Sequence, residues 1–362
     1  MDMKSNCTTS FYRNDLEQPR LKSGKCLVKN CKVNVKNYKP FPNKKVLFCP
    51  EHGIRIHSTG FVYYNGPTSD GFATAIKRNL MFNSNYYINH FLNEKGHKIN
   101  PKRFLYHENS EDAVSYNVFS ELFANGGDAL KKLVNEITNQ PITDDVDLYL
   151  WGCKIDLKNN SCVQYEPLIE VRKDLEKDIK PFVTEPDIML VIPQKVVICI
   201  EAKFGSKNTI AKTKDQKQEE NNGEKPKSID GLIEKYCKNN KLIDTNEIFD
   251  FTNLPQKFYE QLFRNIVFAA TMAKKFENNA SWYVVNLRNQ HIMNLKSDKP
   301  ESAPIVRNIR SILQPEYKKR FTQFTWEDIY NKVIKKEDYK LANLIWYLKN
   351  KSFNCGRAFN IL

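Results

Sequence analysis

The densest apolar pattern in the chain is a pair of short runs, Ile188–Ile192 and Val196–Ile200, separated by Pro193-Gln194-Lys195. Both runs are rich in β-branched residues, and a three-residue turn between two such runs predicts a β-hairpin. If the turn centres on Gln194, the register places Asp187 directly opposite Glu201. Cross-strand partners hold their Cβ atoms about 4.5–5.5 Å apart, and side chains alternate with a period of two. Lys203 therefore shares the face that carries the two carboxylates.

Elsewhere the apolar spacing is mostly helical. Ile76, Leu80, Ile88 and Leu92 predict a helix from about Phe72 to Leu92, stopped by Gly96 and Pro101. Asn109 or Ser110 caps a second helix whose one face carries Val114, Val118, Phe119, Leu122 and Phe123. Gly126-Gly127 breaks it, and a shorter helix covers Ala129 to Ile137. Residues 146–151 and 163–169 read as strands. A later helix starts after Pro255 with Phe258, Leu262, Ile266 and Ala270 as its core stripe, and Trp282 to Leu287 reads as a further strand. Thr325-Trp326-Glu327-Asp328 predicts a capped helix start, and a last helix spans about Asp338 to Leu348.

The length of 362 residues allows two domains, or one large domain with an appendage. No apolar run approaches the roughly 18 residues of a membrane span, so a membrane role is not expected. Met1 to Arg13 lack the apolar core of a secretory signal, which predicts a reducing cytoplasm of bacterial or archaeal type. With 56 Lys and Arg against 42 Asp and Glu, the formal net charge is +14. A polyanion, nucleic acid first, suits that balance, although an AT-rich coding genome also enriches Lys and Asn.

The cysteines refine the picture. Cys26, Cys31, Cys49 and His52 form two close pairs in one short stretch, the donor set and arrangement of a structural Zn²⁺ site. Gly53 allows a sharp turn beneath such an ion, and Lys25, Lys29, Lys32, Lys44 and Lys45 surround it with positive charge. A chance cluster of thiols is the alternative, and His57 competes with His52 as fourth ligand. Cys7, Cys153, Cys162, Cys199, Cys237 and Cys355 are scattered and read as ordinary small residues. Residues 1–25 are expected as a polar tail, 26–66 as the zinc module ending at the Asn65-Gly66-Pro67 turn, and 67–362 as the main domain. Within it, about 206–240 reads as a polar, basic insertion containing Lys207, Lys212, Lys214, Lys217, Lys225 and Lys227.

Two carboxylates set against each other repel unless a cation lies between them. Hard oxygen donors with waters and a phosphate describe a Mg²⁺ site for phosphoryl transfer, and Lys203 suits work on the attacking water or the growing negative charge. An exposed hairpin end with an ordinary Glu–Lys pair is the plainer alternative. Pro186-Asp187 followed by Glu201-Ala202-Lys203 resembles the PD-(D/E)xK nuclease superfamily, the fold of many restriction endonucleases.

That resemblance implies an α/β (α+β) fold, a mixed central β-sheet flanked by helices, here with the small zinc-bound module at its N-terminus. It implies Mg²⁺ on Asp187, Glu201 and the Ala202 carbonyl, with Mn²⁺ able to substitute, and Lys203 serving the water. It also implies an acid from the helix before the sheet, for which Glu111 is chosen, with Glu121 as a further candidate. A Gln from the later helix is implied near the metal, here Gln261. The expected function is a restriction-like or phage-defence DNA endonuclease acting on double-stranded DNA, and a homodimer fits the cutting of both strands. A repair or recombination nuclease, and a non-catalytic zinc-containing DNA-binding or regulatory protein on the same fold, remain the alternatives.

Overall fold

The computed structural model describes residues 10–17, 24–37, 47–57, 60–63, 69–92, 105–125, 128–176, 185–211, 228–255, 257–292, 303–337 and 339–361. The expected turn at Asn65-Gly66-Pro67, the stops at Gly96 and Pro101, the break at Gly126-Gly127, and Lys44, Lys45, Lys212, Lys214, Lys217, Lys225 and Lys227 lie outside them. The chain forms two compact units, 1–126 with 334–362, and 127–333. The first therefore joins the Cys/His stretch to helices that the sequence reading had assigned to the main domain.

In the first unit, β1 (Lys36–Asn37), β2 (Leu47–Cys49), β3 (Ile54–His57) and β4 (Gly60–Val62) make an antiparallel sheet in sequence order. Helices α1 (Ser69–Asn79), α2 (Ser84–Tyr87) and α3 (Glu111–Asn125) follow. The expected polar tail contributes Phe11 and Leu16 to the small core around Cys26, Leu27, Ile54 and Phe61. Phe11 and Leu16 are the apolar side chains that anchor this otherwise polar stretch to the core. The helix expected over 72–92 is broken after Asn79, where Asn83 takes a left-handed φ of 48°.

Asn117 on α3 holds that break together. Its Oδ1 accepts from the backbone N–H groups of Met81 (2.8 Å) and Phe82 (3.2 Å), and its Nδ2 donates to Asn79 O (3.0 Å) and Tyr347 Oη (3.1 Å). Tyr347 belongs to the returning chain, described below as α10.

The second unit is built on a mixed sheet, seven-stranded among the described residues. Its elements in chain order are α4 (Ala129–Thr138), β5 (Asp147–Leu150), β6 (Cys153–Asp156), β7 (Ser161–Gln164), α5 (Glu166–Leu175), β8 (Ile188–Ile192) and β9 (Val196–Ala202). Next come β10 (Ile210–Ala211), α6 (Ile229–Ile233), β11 (Phe258–Tyr259), α7 (Glu260–Thr271), β12 (Ser281–Arg288), α8 (Pro304–Arg310), β13 (Phe321–Thr325) and α9 (Trp326–Lys332). The central order is β13-β12-β9-β8-β5-β6-β7, with β12 parallel to both β9 and β13 and the remaining pairs antiparallel. Every residue of β8 and β9 is buried. That explains their unbroken apolar runs, since a strand covered on both faces has no polar side to display. Helices α5 and α7 cover the face of Met189, Val191, Val197 and Cys199.

Three expectations change here. The strand read over 163–169 is only Ser161–Gln164; Pro167 stands in the first turn of α5, whose Leu168, Val171 and Leu175 point inward at helical spacing. The end of the expected polar insertion is structured, with Ile229, Leu232, Tyr236 and Cys237 in the core. Cys153 and Cys162, read as unrelated, form a disulfide across the β6–β7 pairing, their Cα atoms 5.8 Å apart. The short turn between β6 and the edge strand β7 brings them together, which spacing alone did not reveal.

After α9 the chain returns to the first unit as α10 (Ala342–Asn350), β14 (Ser352–Phe353) and β15 (Gly356–Arg357), with α10 against α3. No helix among the described residues is long and apolar enough to cross a membrane. Asn117→Leu should leave four backbone and hydroxyl groups without their partner. We expect a loss of about 3 kcal/mol of stability, read as a lower denaturant midpoint at unchanged slope; an unchanged midpoint would remove Asn117 from this role.

Candidate active site and metal centre

The β8–β9 register is Ile188 with Ile200 through Ile192 with Val196, centred on Gln194 as the apolar pattern predicted. Gln194 adopts φ 59°, and the buried Glu277 steadies the turn by accepting its backbone N–H at 2.7 Å. At the opposite end of the hairpin, Asp187 Oδ2 accepts the backbone N–H of Ala202 at 2.9 Å. Asp187 O accepts the N–H of Trp151 at 3.1 Å, from the two-residue turn Trp151-Gly152 between β5 and β6. Both turn residues have positive φ, 50° and 77°, and a Cβ on Gly152 would come within 3.0 Å of Leu168. Glycine there is a steric requirement of the turn that holds the Asp187 backbone.

Glu201 is almost wholly buried, at 1% exposure. Its Oε1 accepts from Lys203 Nζ at 2.7 Å and its Oε2 from Asn265 Nδ2 at 3.0 Å. The Arg264 guanidinium lies 3.9 Å from the same Oε2 and donates to Glu185 O at 3.4 Å. Glu185 in turn pairs with Arg172 of α5 at 2.7 Å. Adjacent residues of α7 thus reach Glu201 on β9 and the segment that leads through Asp187 into β8. The main chain of Lys203 is held on either side of its Cα: its N–H donates to Leu287 O at 2.7 Å, and its carbonyl accepts from Trp326 Nε1 at 3.3 Å.

A polar row continues from Glu201 across the sheet. Asn286 on β12 pairs in register with Glu201 and with Gln323 on β13. Asn208 Nδ2 donates to Asn286 Oδ1 (3.0 Å), and Asn286 Nδ2 donates to Gln323 Oε1 (3.2 Å), all three buried.

Of the residues singled out in the sequence, the structure brings together Asp187, Glu201, Ala202 and Lys203. Gln261 lies on α7, half-buried, with its Oε1 3.5 Å from Thr209 Oγ1. Asn265, one helical turn later, is the amide that reaches Glu201. Glu111 opens α3 in the first unit, behind Ser110, whose Oγ caps the helix by accepting Ala113 N–H at 3.1 Å. Glu121 is buried on the same helix, and burial pushes its carboxyl up. Asn265, Arg264, Arg172 and Trp326 were missed. Arg264-Asn265 inside an otherwise apolar helix was the available signal, because burying two such groups requires partners.

The donor set suits a hard divalent cation: two carboxylates at one end of one hairpin, with cationic and amide groups already holding Glu201. Asp187 and Glu201 are the residues that could hold such an ion. Lys203 brings its ammonium to 2.7 Å from Glu201 Oε1, beside the carboxylates, where it can stabilise an anionic transition state.

The first unit holds the second metal candidate. The ligand atoms of Cys26, Cys31, Cys49 and His52 all lie within 4.8 Å of one another. His52 Nδ1 is 3.4 Å from Cys49 Sγ and 3.6 Å from Cys26 Sγ, and the Cys31 and Cys49 sulfurs are 3.9 Å apart. Zn–S bonds of about 2.3 Å in a tetrahedron separate sulfurs by about 3.8 Å, so the cluster fits a metal such as zinc closely. Gly53, at φ 58°, closes the knuckle by donating its N–H to Cys49 O at 2.8 Å. The buried Arg78 of α1 donates to His52 O (3.0 Å) and Gly53 O (3.3 Å), its guanidinium over the rings of Phe11 and Tyr63. Glu51 accepts from Cys31 Sγ at 3.4 Å, and its other oxygen lies 4.0 Å from His52 Nε2, beside the ring nitrogen that faces away from the sulfurs.

Cys49 is the most acidic of the three thiols, lowered by the bond from Cys26 and by His52, whereas that same bond and then burial push Cys26 up. Elemental analysis of the purified chain should find a thiophilic divalent metal. Cys49→Ser should lose it and melt at a lower temperature, while full retention would exclude Cys49 as a ligand.

No curated protein and no solved structure matches the chain significantly. The family described as restriction endonuclease associating with ARP matches residues 48–351, which include the knuckle from Phe48 onward and the whole Glu201 site. With most of its length matched, from the Cys49/His52 pair to the end of α10, the chain belongs to this restriction-endonuclease-like family.

Proposed function

We propose that this protein is a Mg²⁺-dependent endonuclease that hydrolyses phosphodiester bonds of double-stranded DNA, in a restriction or phage-defence role. The observation that carries the reading is the buried Glu201 carboxylate, held by Lys203 and Asn265 at the hairpin end that also bears Asp187. A charge so deeply buried and so fully bonded is a preorganised site, and structural strands rarely spend three cationic and amide groups on one acid. Membership of a restriction-endonuclease-like family and the net charge of +14 support the same reading.

Asp187 and Glu201 would hold Mg²⁺, which would supply water activation and neutralisation of phosphate charge. The chain supplies the rest. Asp187 and Glu201 bind and orient through fixed oxygens. Lys203 meets the negative charge that grows on the phosphoryl oxygens. Asn265 and Arg264 keep the Glu201 carboxylate in one rotamer, and Trp326 fixes the Lys203 backbone. The Cys/His cluster is assigned structural Zn²⁺, because four protein ligands leave no open position for chemistry. A homodimer would give each strand of a duplex its own site.

The test is cleavage of supercoiled and linear DNA with added Mg²⁺. Asp187→Ala should abolish cutting, and Lys203→Ala should slow it by roughly two to three orders of magnitude with metal content of the Cys/His cluster unchanged, while also lowering stability because the buried Glu201 charge loses one partner. Asn265→Ala should cost about tenfold or more, because it frees Glu201 without removing a donor to substrate, and Asn265→Gln should restore part of that. A well-folded wild type that binds DNA and never cuts it under these conditions would sink the proposal in favour of a regulatory role.

A further inference from the structure

Helix α10 carries a surface that neither the Cys/His knuckle nor the Glu201 site uses. It buries Leu344, Tyr347 and Leu348 and turns Ala342, Asn343, Trp346 and Lys349 outward. Trp346 is 46% exposed, and Tyr339, in the turn before the helix, is 84% exposed. The other three tryptophans, Trp151, Trp282 and Trp326, are buried. Leaving two large rings in water forgoes a burial gain of a few kcal/mol, so a partner surface is the economical explanation.

The Trp346 ring is propped in place. Tyr12 meets it edge-on with ring centroids 4.7 Å apart. Asn14 Nδ2 donates to Asn350 Oδ1 at 3.3 Å, tying the segment that carries Tyr12 to the end of α10. The same segment leads to the knuckle, where Lys29 N–H donates to Asp15 O at 2.7 Å.

Charge then selects the partner. Lys335, Lys336, Lys340 and Lys349, each within a few residues of Tyr339 or Trp346 in sequence, are exposed, and Lys340 Nζ lies 5.9 Å from the Tyr339 ring centroid. Beyond Tyr12, Lys25, Lys29 and Lys32 are exposed as well. The acids among the described residues of these segments are Asp15, Glu17 and Glu337, and Asp15 already accepts the Tyr12 N–H at 2.8 Å. Lysine is depleted at protein–protein interfaces, whereas exposed rings among lysines are the composition that holds unpaired nucleotides: bases stack on the rings and phosphates meet the ammonium groups. A base-paired duplex offers no free base faces to Trp346 and Tyr339.

We propose that the outer face of α10, with Trp346 braced by Tyr12 and Tyr339 standing among Lys335, Lys336, Lys340 and Lys349, is a docking surface for unpaired nucleotides of single-stranded DNA. It rests on the reading of the chain as acting on DNA, and adds that a strand with unpaired bases is held by the first unit.

The test uses the full chain without added divalent metal and a labelled oligothymidylate of about 16 nucleotides, followed by anisotropy and tryptophan emission. The oligonucleotide should quench wild-type emission, and Trp346→Phe should bind comparably with that quench lost. Trp346→Ala and Tyr339→Ala should each weaken binding about tenfold. Replacing Lys340 and Lys349 together by Ala should flatten the slope of log K against log salt by about 1.4. Superimposable isotherms for the two aromatic-to-alanine variants, with unchanged circular dichroism, would overturn the proposal. So would a wild-type dimer that Trp346→Ala dissociates, which would assign the face to self-association. Metal-dependent cutting of DNA alongside superimposable isotherms refutes this surface and leaves the nuclease standing. Trp346-dependent binding by a protein that never cuts supports the surface and refutes the nuclease.

Discussion

The burial of the Glu201 carboxylate is the constraint around which the second unit is arranged. Taking an ionised carboxylate out of water costs several kcal/mol even after relaxation, and the cost is offset only by good geometry on both oxygens. Lys203 satisfies one and Asn265 the other, with Arg264 adding a second positive charge nearby. Those partners come from a strand end and from a helix some sixty residues later in the chain. The hairpin register and the docking of α7 must therefore both be right before the charge is tolerable. The apolar residues of α7, Leu262, Phe263, Ile266 and Val267, bury against the sheet and set that docking. Core packing and the polar site thus specify the same arrangement.

The first unit solves a different problem with the same physics. Its sheet is made of strands of two to four residues, too short to stabilise themselves. A metal held by the cysteines and His52 would supply folding free energy that so small a core lacks. Arg78 couples the knuckle to α1, and Asn117 couples α1 to α3 and α10, so the polar links run from the Cys/His cluster to α10. The buried Glu108 closes the circuit, accepting from the Cys355 N–H at 2.7 Å while its backbone carbonyl accepts from Lys351 at 2.6 Å. Burial raises that carboxyl and lowers the Lys351 ammonium to about 8, as desolvation of either charge requires.

Patterns with a short range were legible in the chain. The β8–β9 hairpin, its register, the Thr325 cap of α9 and the strand at β12 follow from neighbouring residues, because alternation, turn chemistry and capping act within a few positions. The grouping of Cys26, Cys31, Cys49 and His52 was equally readable, since metal ligation restricts residue type as well as spacing. Where two local signals competed, the reading failed: Pro167 and the spacing of Leu168, Val171 and Leu175 made a helix of an expected strand. The polar stretch ending near Asn239 hid Ile229, Leu232 and Tyr236 because its average composition outweighed their periodicity.

By itself the sequence determined the hairpin, the carboxylates at its end with Lys203 beside them, the four-ligand knuckle and the basic charge. Each depends on residue identity and separations of a few positions along the chain. Only the tertiary structure decided that Asn265 rather than Gln261 reaches Glu201, that Arg264 spans to Glu185, and that Trp326 anchors Lys203. One turn of α7 separates the two amides. Which of them points at the sheet depends on the helix's rotation, and that is set by the summed packing of its apolar face against β9 and β12, a quantity no local pattern contains. The disulfide of Cys153 with Cys162, and the assignment of α10 to the first unit after some two hundred intervening residues, are decisions of the same long-range kind.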